Sequence, residues 1–67
     1  MQTKEMSPQR FKQVRQMLGL SQHKMAQLIG YENRASVCLF ESGQRTITPR
    51  ISLLVELLAD KHERTNL

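Results

Sequence analysis

Apolar residues recur every three or four positions in four separate segments, which is the spacing of amphipathic helices. Phe11, Val14 and Leu18 form the first stripe and Met25, Leu28 and Ile29 the second. Val37 and Phe40 form the third, and Ile51, Leu54, Val55 and Leu58 the fourth. No run alternates apolar and polar residues between turn signals, so no strand is expected. The punctuation agrees with helices. Ser7-Pro8 and Thr48-Pro49 each join a capping side chain to a proline at the first helical position. Ser21 and Asn33 are the caps expected for the second and third helices. Gly19, Gly30 and Ser42-Gly43 are the stops of the first, second and third helices. The pattern predicts an all-α domain over 7–60, with a flexible segment 1–6 before it and a polar, fraying tail 61–67 after it.

Two charged residues interrupt these stripes. Arg15 lies on the inward side of the first helix and Glu41 on the inward side of the third. A lone charge there would cost several kcal/mol. Their opposite signs predict a structural ion pair joining the two helices, the alternative being that each long side chain reaches out to solvent. A second irregularity lies in the fourth helix. Leu53 and Leu57 form a face adjacent to its main stripe, more apolar surface than one small core needs. They are expected either at a dimer interface or completing the core.

Length sharpens that choice. A chain of 67 residues buries only about 60% of its unfolded surface and usually needs a staple. Cys38 is the one cysteine, and His23 and His62 stand far apart without a cysteine pair, so neither a disulfide nor a zinc site is expected. Pairing with a second copy remains, and a homodimer is expected. No apolar window is long enough to span a membrane, and the first eight residues carry no apolar signal core. With a lone thiol, this fits a reducing cytoplasm.

Net charge is +4, and its distribution is uneven. Residues 7–50 carry Arg10, Lys12, Arg15, Lys24, Arg34, Arg45 and Arg50 against Glu32 and Glu41, whereas residues 51–67 carry a net −1. A basic footprint on the first three quarters of a chain suits a polyanion, though it also suits an ordinary solvated surface. No nucleophile–base arrangement, metal cluster or phosphate-cradling glycine loop is present at plausible spacing, so an enzyme is not expected, and neither a cofactor nor a small-molecule ligand is.

The segments Val14-Arg15, Leu18-Gly19-Leu20-Ser21-Gln22, Met25-Ala26-Gln27-Leu28-Ile29-Gly30, Val37 and Phe40-Glu41-Ser42-Gly43-Gln44-Arg45 together resemble the lambda-repressor/Cro-like (XRE-type) helix-turn-helix family. In one-letter form LGLSQxxMAQLIG…VxxFExGxR is similar to the family pattern LGLSQxxLAxxLG…IxxWExGxR, and the likeness covers about residues 10 to 58. The turn through Tyr31-Glu32-Asn33 is one residue longer than usual in that family, which leaves open whether Asn33 caps the helix or reads a base. The resemblance implies a small domain of four to five helices and a transcriptional repressor or autorepressor of the kind phages and mobile elements encode. It would act on the nucleoid in a prokaryotic or phage-infected cell. Its partner would be a double-stranded operator of inverted-repeat form, bound as a dimer. By position, Asn33, Arg34, Ala35, Ser36, Cys38 and Leu39 resemble the family's base readers. Gln22, His23 and Lys24 at the start of the second helix, with Gln44, Arg45, Thr46 and Arg50 after the third, resemble its phosphate contacts. The alternative is an antitoxin that binds a protein partner as well as DNA, although only residues 61–67 are spare for that purpose.

Overall fold

The computed structural model describes residues 6–65. It consists of four helices: α1 (Pro8–Met17), α2 (Gln22–Leu28), α3 (Arg34–Ser42) and α4 (Pro49–Thr65). No strand occurs among the described residues. Each of the first three helices starts where its cap dictates. The Ser7 hydroxyl accepts from the Arg10 N–H, the Ser21 hydroxyl from the Lys24 N–H, and Asn33 Oδ1 from the Ala35 N–H. At α4 the Ile51 N–H reaches Thr48 Oγ1 at 3.3 Å. These bonds satisfy donors that have no partner inside the helix.

The turn between α2 and α3 depends on Gly30. Its φ of +91° lies in the left-handed region, where a side chain is strained. That conformation returns the Tyr31 N–H to the Ala26 carbonyl at 2.8 Å and ends α2 abruptly.

Helix α3 packs against α1 and α2, and α1 also packs against α4. The core between them is built on Phe11, Val14, Met25, Val37, Phe40 and Val55, all shielded from solvent. The Phe40 ring stands 5.5 Å from Phe11 and 5.7 Å from Tyr31, within the range of favourable ring contacts. This centre follows the stripes expected from the sequence, with one exception. Leu28 is 50% exposed. Helix α2 has only two turns, and Met25, Ala26 and Ile29 already fill its contact with the core.

At the start of the described residues Met6, expected in a flexible segment, is buried, and its N–H donates to the Ser52 hydroxyl at 2.8 Å. Residues 1–5 lie outside those described. The segment expected to fray from Lys61 continues α4 in register to Thr65, with an Asp60–Arg64 ion pair at 3.1 Å on its surface. Residues 66 and 67 are outside the described range. Ile47, in the connection between α3 and α4, is a core residue that pins that connection.

A second ion pair, between Arg10 and Glu56, joins α1 to α4. Arg10 Nε and Nη2 donate to the two oxygens of Glu56 at 3.1 and 2.9 Å. Those hydrogen bonds hold the Glu56 carboxyl below its ordinary value. A carboxylate depressed on folding stabilises fully above its unfolded pKa and loses that contribution as pH falls through the folded one. Wild type should therefore lose more stability than Glu56→Gln between about pH 5 and pH 3. For a pair this exposed the difference is at most about 1 kcal/mol, and denaturant titrations at the two pH values measure it.

Candidate nucleic-acid interface

One internal anchor sets the rotation of α3. Arg15 Nε lies 2.6 Å from Glu41 Oε2, and Nη2 lies 3.3 Å from Oε1. The side chains are only 14% and 7% exposed. Arg15 Nη1 also donates to the Leu20 carbonyl at 2.9 Å, which fixes the link between α1 and α2 to the same guanidinium. The pair inferred from stripe position is thus the bolt between α1 and α3. Gln22 joins it: its Nε2 donates to Glu41 Oε1 at 3.3 Å.

With Val37, Phe40 and Glu41 turned inward, the opposite side of α3 is fixed by helical rotation. Arg34, Ala35, Cys38 and Leu39 line one open surface groove there, about 360 Å³ in volume. No acidic side chain lines it. Of these four, Arg34, Ala35 and Cys38 are exposed and Leu39 is half-buried. The other two expected base readers are placed differently. Asn33 Oδ1 accepts the Ala35 N–H at 3.0 Å, which holds its side chain at the cap of α3. Ser36 is half-buried on the flank, where its hydroxyl accepts from Arg45 Nη1 at 3.3 Å.

The expected phosphate contacts occupy two places. His23 and Lys24 are exposed in the first turn of α2. Gln22 is half-buried, and one of its amide hydrogens goes to Glu41, which ties the start of α2 to α3. Its place in the sequence, one residue after a cap, gave no sign of this. Gln44, Arg45 and Thr46 are exposed on the loop after α3, and Arg50 is exposed at the start of α4. Gly43, with φ +83°, turns the chain there, and the N–H groups of Gln44 and Arg45 both return to the Leu39 carbonyl. The Arg45 guanidinium lies 5.9 Å from the centre of the Phe40 ring, a cation–π distance. Arg45 is therefore steadied beside α3 without an acidic neighbour.

Charge pairing changes the electrostatic picture drawn from totals. Arg10 and Arg15 are neutralised by Glu56 and Glu41. Lys12, Lys24, Arg34, Arg45 and Arg50 form no ion pair among the described residues. Two of the five, Arg34 and Arg45, lie on α3 or just after it, and Arg50 lies at the start of α4.

Among the described residues no group of three or more His, Cys, Asp or Glu side chains is placed to hold a metal ion, and no helix is long and apolar enough to cross a membrane. Compared with family models, curated proteins and solved structures, the chain matches none.

Proposed function

We propose that this protein is a sequence-specific double-stranded DNA-binding regulator, a repressor, that presents α3 to the major groove. The observation that carries the reading is the outward face of α3: a groove of Arg34, Ala35, Cys38 and Leu39, free of acidic residues and held in rotation by the Arg15–Glu41 bolt behind it. An α-helix is about 10–12 Å across with its side chains, which suits a major groove about 12 Å wide. Arg34 can donate two hydrogen bonds to guanine O6 and N7. Ala35 and Leu39 offer apolar contact to a thymine methyl group. Lys24 and Arg45 flank the helix and supply phosphate contacts, which position the protein without reading sequence.

One such helix reads only a few base pairs. A two-fold dimer reads two half-sites about one helical turn apart, so the operator is an inverted repeat. Selection of bound duplexes from random DNA tests this directly. Recovery of an inverted repeat supports the reading, and recovery of no preferred sequence overturns it. Within the selected site, Arg34→Ala should cost about 1–3 kcal/mol of binding and relax preference at one base pair of each half-site. Equal weakening on every sequence would instead place Arg34 on phosphate.

A second reading, an antitoxin with a protein partner, is favoured by a different feature. Leu18, Leu20, Leu28 and Leu58, with Lys61 and His62, line an apolar groove of about 320 Å³. A defined complex with one copurifying protein, lost in Leu28→Glu with DNA binding intact, would establish it.

A further inference from the structure

Helix α4 has an outer face that the fold leaves uncovered. Arg50, Leu53, Leu57 and Asp60 follow one another at spacings of three, four and three residues, so they form one stripe. Helical rotation places that stripe opposite Val55, which is fully buried. Leu53 and Leu57 are accordingly 56% and 57% exposed, which excludes them from the core. Glu56, beside the stripe, is already engaged by Arg10. Arg50 has no ion pair among the described residues, and Asp60 has one surface arginine, Arg64.

We propose that this face seats the same face of a second copy, with the two α4 helices antiparallel across a two-fold axis that crosses the seam midway between Leu53 and Leu57, at the level of Val55 but on the opposite side of the helix. The charge order selects the orientation. In the antiparallel arrangement Leu53 of each copy meets Leu57 of the other, and Arg50 of each meets Asp60 of the other. A parallel arrangement would set Arg50 against Arg50 and Asp60 against Asp60. The stripe is therefore self-complementary in one orientation and self-repelling in the other, as an isologous interface requires. Four leucines make a small seam by the standard of stable interfaces, so the dimer is weak in isolation and tightened by DNA. The inference rests on the two-fold reading above, and its test is run without DNA so that the two can fail separately.

Sedimentation equilibrium of the free protein should show a monomer–dimer equilibrium. Leu57→Glu should abolish the dimer while thermal melts of the dilute monomer stay unchanged. Leu53→Gln, a milder change on the same stripe, should raise the dimer dissociation constant without unfolding. Arg50→Asp and Asp60→Arg should each weaken the dimer by about tenfold, because each replaces two attractions by two repulsions. The double reversal should return it to within about threefold of wild type. Three results overturn the proposal: a monomer at millimolar concentration, a dimer indifferent to Leu57→Glu, or a double reversal as weak as the single ones.

Discussion

Glu41→Ala is expected to destabilise the domain by about 3–5 kcal/mol, because it leaves the Arg15 guanidinium buried without its counter-charge. The magnitude is large for this protein. A chain of this length has a total stability of roughly 3–10 kcal/mol, so the variant is partly or wholly unfolded near physiological temperature. In thermal melts the loss corresponds to a fall in Tm of at least about 12 °C. The chemistry of the site predicts an ordering among related variants. Glu41→Gln keeps an acceptor for Arg15 and for Gln22 and should lose less. Arg15→Met combined with Glu41→Ala removes both charges and should recover part of the loss, since replacing a buried pair by apolar atoms is often close to neutral. If the double variant melts as low as Glu41→Ala alone, the stranded charge is not the cause. Gln22→Ala removes one 3.3 Å bond and should cost about 1 kcal/mol.

The same pair explains how much of the candidate interface was legible in the sequence. A charge on an apolar stripe is costly enough that two of opposite sign on different helices imply a partner, and this fixes the rotation of α3 from sequence alone. The caps and the glycine stops were equally visible, because each depends on side chains a few residues away. What could not be read was set by contacts distant in sequence. Ser52 is buried, and its hydroxyl serves Met6, 46 residues away, so neither Ser52 nor Met6 carries a local signal. Arg10 and Glu56 are likewise 46 residues apart and each looks like an ordinary surface charge. Leu28 failed for the opposite reason: its spacing is that of a core residue, but the two turns of α2 offer the core too little length to use it. Asn33 was ambiguous because one side chain can cap or read, and the geometry assigns its oxygen to the cap.

The salt dependence of DNA binding is the second large effect expected. It follows from which cations are left after internal pairing. Arg34 lines the groove of α3 and is assigned to bases in the proposed reading, and Lys12 lies on α1, outside the groups assigned to DNA. Lys24 and Arg45 remain for phosphate, with Arg50 as a third candidate. If Arg50 is held in the α4 seam by Asp60 of the partner copy, a dimer neutralises four phosphates. The logarithm of the affinity then falls with that of salt at a slope of about −3.6, a loss of about 150-fold between 50 and 200 mM. If Arg50 reaches phosphate instead, six are neutralised, the slope is about −5.4 and the loss about 1,800-fold. The dimer geometry selects the shallower slope. Titrations of a selected operator over that salt range distinguish the two, and Arg50→Gln provides the control. A slope unchanged by the substitution keeps Arg50 at the dimer seam. A slope shallower by about 2 places its charge on the DNA and removes it from the pairing with Asp60. A wild-type slope near zero would remove the electrostatic basis for DNA binding altogether, because no interface of this kind holds a polyanion without releasing its counterions.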